Sequence, residues 1–313
     1  MAEPSDIEET RTVEFGLSVT YQLNENPGKL RQYVGDSKAI TDKSYQIEDR
    51  FDDLNAEEKS GRNEDTNNTD LSATRRWIHK PKSQDLAPLL DRDDMRTTRL
   101  DLKSPAAMQV AKALRRAQGI RWLQGFYGNA YTGEQGLTAV PFKPANILPV
   151  DADEASPAGI TLNKLIAMGE LIRETLAVDD EDPEPIYAGI TAKQITNLLK
   201  INEMRSRDYN PNLPAMLQTG KPAPFMGFTW VPTQLGDNRV YPGATSLTVD
   251  GSGYRRVPIW VNSGIFWGNW EEQFVRVSER NDKKHSWQIY AETCGAATRT
   301  HEDKCFQMLC LET

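Results

Sequence analysis

The chain has 313 residues, with 37 Lys and Arg against 45 Asp and Glu, for a formal net charge of −8. Hydrophobic residues make up 38% and charged residues 26%, enough for the core of one large or two modest domains, which excludes global disorder. The acidic balance speaks against a protein whose main task is gripping nucleic acid.

No apolar run approaches the ~18 residues of a membrane span. The opening Met1-Ala2-Glu3-Pro4-Ser5-Asp6 has neither the basic nor the apolar region of a secretory leader. Residues 1–35 read as an arm, acidic at first. It then gives a short strand-like stretch with partial alternation, Val13-Glu14-Phe15-Gly16-Leu17-Ser18-Val19, and a turn at Asn26-Pro27-Gly28. Residues 36–76 are the most polar part, with ten acids and four bases between Asp42 and Asp70. Tyr45, Ile47 and Phe51 give this region a strand with one apolar side. The tip, residues 60–70, is rich in Asn, Asp and Gly and reads as a mobile loop. Two readings stand: a solvated disordered insert, or a long β-hairpin that reaches off the body and orders against a neighbour.

Trp77-Ile78-His79 is strand-like, and residues 86–94 read as a short helical turn or loop. The longest helix follows over 104–127. Ser104 is a good N-cap, Pro105 sits at the first helical position, and Gly128-Asn129 ends the helix. Val110, Ala113 or Leu114, Ala117, Ile120, Leu123 and Tyr127 recur at three and four residues as one apolar stripe. A second helix is expected over 161–176. A third, over 191–200, opens on the capping-box pattern Thr191-x-x-Gln194. From Phe225 onward strands dominate: residues 225–231, 256–261, 274–279, 287–292 and 305–310, with a turn at Asp250-Gly251-Ser252-Gly253. Pro258 suggests an edge or a bulge. Polar hairpin, long helix, short helices and then strands make the class α+β, without a βαβ repeat.

Catalytic constellations are sparse. His79, His285 and His301 have no partner at metal-ligand spacing and read as surface residues. Cys294, Cys305 and Cys310 are odd in number and clustered, which suits reduced thiols, not a disulfide framework. Cys305 and Cys310 are five apart on an alternating strand and fall on opposite faces, unsuitable for one zinc. Cys294 reads as a small buried hydrophobe. No motif for a phosphate-binding loop, a zinc protease or a nucleophile elbow occurs. Neither a catalytic residue nor a cofactor or metal site is expected. Seven tryptophans, four of them between Trp230 and Trp270, suit core or interface packing better than a sugar platform. Arg115, Arg116 and Arg121, with Arg75 and Arg76, suit either phosphate contact or ion pairing within and between subunits.

Residues 278–292, Ser278-Glu279-Arg280-Asn281-Asp282-Lys283-Lys284-His285-Ser286-Trp287-Gln288-Ile289-Tyr290-Ala291-Glu292, and the turn from Gly295 through Thr298-Arg299 and Glu302 to Lys304 together resemble the closing segment of a tailed-bacteriophage major capsid protein family. Phe225-Met226-Gly227-Phe228, Gly159-Ile160-Thr161-Leu162, Ser104-Pro105 with the long helix, Phe126-Tyr127-Gly128, Thr132-Gly133-Glu134, Arg76-Trp77 and Asp91-Arg92-Asp93-Asp94 match in the same order. The resemblance covers about 75–313; the arm and hairpin match only in kind.

The resemblance implies a Hong Kong 97-type coat fold. It assigns an N-terminal arm (1–35), an extended hairpin or E-loop (36–76) and a peripheral domain (77–145) with a spine helix at 104–127. An axial domain (146–265) and returning strands (266–313) follow, with 236–256 as an elaborated axial loop. It implies a major capsid protein that self-assembles into hexamers and pentamers around double-stranded DNA. The shell would form in the bacterial cytoplasm, end in the virion, and have portal, scaffolding and cement or decoration proteins as partners, with no membrane. Tyr45, Ile47, Phe51 and Arg62 are then candidate inter-subunit contacts, and Arg115, Arg116 and Arg121 candidate DNA-facing residues. The alternatives are a host-encoded nanocompartment shell and a carbohydrate-active hydrolase with a pocket at Trp260, Trp267 or Trp270.

Overall fold

The structure, a computed structural model, describes residues 29–51, 73–91, 103–175, 177–178, 183–205, 220 and 222–312, without the side chains of 49–51, 103–105 and 204–205. The expected strand-like stretch at 13–19, the loop tip at 60–70 and Arg62 lie outside them. The described chain is a mixture of α and β, as the element pattern predicts.

Three sheets organise it. The first joins β1 (Asp36–Ala39), β12 (Ile265–Arg280), β13 (Ser286–Arg299) and β4 (Gln84–Leu86), with β5 (Leu89–Leu90) also on β13. The second has the order β10 (Phe228–Pro232), β9 (Ile186–Ile190), β11 (Arg255–Val261), β14 (Cys305–Cys310) and β8 (Ile147–Leu148). The third is β2 (Ser44–Phe51), β3 (Ala73–His79), β6 (Ala130–Thr132) and β7 (Thr138–Val140).

Helix α1 spans Lys103–Tyr127, about 37 Å at 1.5 Å per residue. It lies along β13, and its buried row is Val110, Leu114, Gln118, Trp122 and Phe126, four residues apart. Of the expected stripe, Val110, Leu114, Leu123 and Tyr127 are buried, while Ala117 and Ile120 are only partly buried. Gln118 escapes a hydrophobicity reading because it is polar. Gln118 is buried because its amide donates to the Glu272 carbonyl at 3.0 Å and to Thr293 Oγ1 at 2.8 Å. Close approach is set by Gly125, where a Cβ would overlap the Ala297 carbonyl of β13.

Helices α2 (Leu162–Glu174) and α3 (Ala192–Lys200) begin where the caps predict. Thr161 Oγ1 accepts from the Lys164 amide, and Thr191 and Gln194 form the reciprocal capping box. Leu165, Met168, Ile172 and Leu198 bury against the second sheet through Ala188, Ile190, Phe228, Ile259 and Phe306. A second cluster sets Trp122, Leu123 and Phe126 against Trp260, Trp267 and Tyr241. A third places Val110 and Leu114 on Leu90, Ile289 and Ala291.

Other expectations shift. Residues 84–86 and 89–90 form two short strands on β13, overlapping the start of the helical turn or loop expected over 86–94. Two and three residues carry no period, and only the neighbour makes them strands. The strand expected at 225–231 begins at Phe228, because Met226 (φ 53°) and Gly227 (φ 83°) form a tight turn closed by hydrogen bonds between Phe225 and Phe228. Pro258 lies within the second sheet opposite Gln307, yet β11 pairs with β9 only from Ile259 to Val261. The missing N–H therefore falls where the ladder ends. Between 236 and 256, Val240, Tyr241 and Ala244 are buried and Thr245–Thr248 is a short helix.

Candidate functional site

Strands β2 and β3 form an antiparallel hairpin from Ser44↔His79 to Phe51↔Ala73, with a bulge between Gln46 and Glu48. Tyr45 and Ile47 pack on a small cluster of Ile40, Ile78 and Phe266. The Tyr45 ring stacks on Phe266 at 6.0 Å, and its hydroxyl accepts from Lys38 Nζ at 2.8 Å. Two of the four expected contact residues therefore sit at the root of the hairpin against the body of their own chain. Phe51 ends the strand.

Behind that root lies a buried polar node. Arg299, at the end of β13, is completely buried. Its Nε donates to Glu302 Oε2 at 2.8 Å, and Nη1 donates to the carbonyls of Phe126 and Gly128 at 2.5 Å each. Nη2 reaches the Val140 carbonyl at 3.2 Å. The cation thus satisfies the carbonyls at the C-terminal end of α1, where the helix dipole is negative. Glu302 also pairs with Arg76 of β3 at 3.1 Å, and Arg76 Nε donates to the Thr300 carbonyl at 3.1 Å. Burial pulls the Arg76 proton affinity down, and Glu302 opposes that shift. His301 Nε2 stands 3.1 Å from Glu48 Oε1 on β2. One node ties the hairpin stem, α1, β7 and the β13–β14 connection together. Sequence reading missed Arg299 as a structural centre. The available signal was an arginine within a mostly apolar strand, with a glutamate three residues on.

The three α1 arginines do not converge. Arg115 is exposed. Arg116 Nη1 donates to the Arg239 carbonyl at 3.0 Å, and Arg121 donates to Gln124 Oε1 and the Lys82 carbonyl at 3.2 and 3.1 Å. Arg75 and Arg76 lie on β3.

The hydrolase alternative loses its pocket. Trp260 and Trp267 are core residues with no exposed surface, Trp260 lying 4.8 Å from Trp122. Trp270 donates its indole N–H to the Asp42 carbonyl at 2.6 Å. All three cysteines are buried. Burial pushes the Cys305 thiol up and the Cys310 thiol to about 12, the reverse of what a nucleophile needs. His79 bonds Ser44 Oγ at 3.1 Å and the Gly136 carbonyl at 2.9 Å, so it is a held structural residue, not a free surface one. Open cavities of about 370 and 560 Å³ flank α3. In the larger, Arg255 is committed to Glu312 and Arg239 to Asp237. Among the described residues no group of three or more His, Cys, Asp or Glu side chains is arranged to hold a metal ion. None of their helices is long and apolar enough to cross a membrane.

A family model described as phage capsid protein matches residues 7–312. Among solved structures, the Cyanophage Pam1 capsid asymmetric unit is similar with a TM-score of 0.71 at 12% identity, covering 99% of both chains. The Helicobacter pylori bacteriophage KHP40 head gives 0.69 at 8% identity over 95% of each chain. The Cyanophage P-SCSP1u capsid gives 0.68 at 11% identity, over 96% of this chain and 94% of that one. At these identities the likeness is one of fold. No curated protein matches the sequence.

Proposed function

The chain belongs to the phage capsid protein family, and from that premise we propose that it is the shell-forming major subunit, of the Hong Kong 97 type, assembling into hexamers and pentamers around double-stranded DNA. The observation that carries this reading is the extent of the family match, residues 7–312. In this reading β2 and β3 are the stem of the extended hairpin (36–76), α1 is the spine helix of a peripheral domain, and the second sheet with α2 and α3 is the axial domain (146–265). The strands from 266 onward return to both domains, β12 and β13 to the peripheral one and β14 to the axial sheet, and residues 1–35 are the N-terminal arm.

The physics suits the role. A polar hairpin that gains order on a neighbour spreads contact area over several copies. Many modest contacts around closed rings sum to a stable container. The Arg299 node gives the hairpin a fixed root, and Phe51 with Arg62 contribute contacts beyond it. Arg115, Arg116 and Arg121 face packaged DNA as scattered charges on an acidic subunit, a non-specific contact that does not grip. Portal, scaffolding and decoration proteins are the expected partners, with assembly in the bacterial cytoplasm and residence in the virion. Particles sedimenting as closed shells and holding nuclease-resistant double-stranded DNA after infection are the expected result. Shells that carry protein cargo and no DNA would favour a nanocompartment, and soluble monomers would overturn the reading.

A further inference from the structure

Among the described residues, the outer edge of β12 is open beyond Asn269. Strand β1 pairs with β12 only from Phe266 to Asn269, and among the described residues no other strand lies on that side. The direction of the backbone groups follows from the register. The Ile289 amide donates to the Pro88 carbonyl, away from β12. Antiparallel pairing alternates. Ile289 faces Val277, Ala291 faces Val275 and Trp287 faces Glu279, so the N–H and C=O groups of Val275, Val277 and Glu279 point outward from the open edge.

The side chains at this edge are apolar. Val275 and Val277 share a face with Ile289 and Ala291, which α1 covers. Because α1 runs over β13, the two valines stay 42% and 41% exposed, and Phe274 on the opposite face is 44% exposed. A long apolar edge with unpaired backbone groups is a liability that folds cover. The occupant that fits is a strand with apolar residues at every second position. Residues 13–19 supply that: Val13, Phe15, Leu17 and Val19 alternate with Glu14, Gly16 and Ser18. The chain next to this segment is tethered at the right place. Arg31 Nη2 is bound to Glu272 of β12 at 2.9 Å and Nη1 to Gln118 at 3.3 Å. Ten residues from 19 to 29 span up to ~35 Å. Glu272 to Glu279 is only about 23 Å along the strand.

We propose that residues 13–19 add to the open edge of β12 in the same chain, with Phe15 and Leu17 covering Val275 and Val277. The segment completes the first sheet and extends the apolar layer beneath the N-terminal half of α1. Hydrogen exchange on the full chain and on a chain lacking residues 1–20 tests this. The amides of Val275, Val277 and Glu279 should exchange slowly in the full chain and about tenfold or more faster in the shortened one, with Ile289 unchanged. The double substitution Phe15→Glu and Leu17→Glu should act like the deletion. Equal exchange in all three proteins would overturn the proposal. Pairing Ser278→Cys with Glu14→Cys, Gly16→Cys or Ser18→Cys then identifies the donor chain, since these positions lie on the opposite face and leave the apolar contacts intact. An intrachain disulfide supports the same-chain assignment. A ladder of covalent multimers, or no trapping in any pair, contradicts it.

Discussion

Replacing Arg299 with Met would strip the Glu302 carboxylate of its nearer cation and leave the carbonyls of Phe126, Gly128 and Val140 without their donor. Breaking a buried pair from one side costs roughly 3–5 kcal/mol, and denaturant unfolding of Arg299→Met should read a loss of that size. Arg280 makes an even shorter ion pair, 2.6 Å to Asp282 against 2.8 Å for Arg299 and Glu302, but both groups face water. Arg280→Ala should therefore be almost silent in the same measurement. The difference is burial, not distance. Glu184 offers a pH test. Burial pushes its carboxyl up, but hydrogen bonds from Lys304 (2.8 Å) and the Ser263 amide (3.0 Å) outweigh that and hold it below 4.5. A depressed carboxylate stabilises the fold above its ordinary value and loses that contribution as pH falls through the folded value. Glu184→Gln should flatten the acid limb of a stability–pH curve, by about 1 kcal/mol at most because solvent screens the half-exposed pair. An unchanged limb would contradict the assignment.

At the scale of elements, two glycines in helices predict opposite outcomes. Gly125→Ala forces a Cβ into the Ala297 carbonyl and should destabilise by about 1–3 kcal/mol as α1 is pushed off β13. Gly169 of α2 has nothing within 4 Å of a Cβ position, so Gly169→Ala should stabilise by about 0.5–1 kcal/mol through helix propensity alone. Thermal melts of the two variants should move in opposite directions. The same contrast explains what was legible in the sequence. The caps at Thr161 and Thr191 are local hydrogen bonds between residues three apart, so the sequence displays them and the helices start there. The alternation of residues 274–279 and 287–292 is likewise local and lies inside β12 and β13. Most of the buried face of α1 was legible, but Gln118 was not, because it enters the core only by virtue of Glu272 and Thr293, more than 150 positions away. Arg299 is the same case: its partners come from α1, β7 and the turn beyond β13. The resemblance to coat proteins indicated a mixed α and β fold like that of phage capsids, while the charged node that anchors the hairpin lies in contacts that no linear motif spells out.

For the whole molecule, the role proposed for the hairpin separates folding from assembly. Its stem is joined to the body through Tyr45, Ile47 and the Glu302–Arg76 pair, and its last described rung is Phe51↔Ala73. Replacing residues 52–72 with a short Gly-containing turn should therefore keep the unfolding transition of the core while abolishing closed particles. Normal particles from that variant would remove the hairpin from the assembly account. The claim on which the rest depends is that copies of this chain close into a shell. Electron microscopy of the purified full-length protein tests it most directly. Hollow particles of uniform diameter, with subunits grouped in rings of six and five, are the predicted result. A monodisperse single copy at every concentration, with no shells, would contradict it.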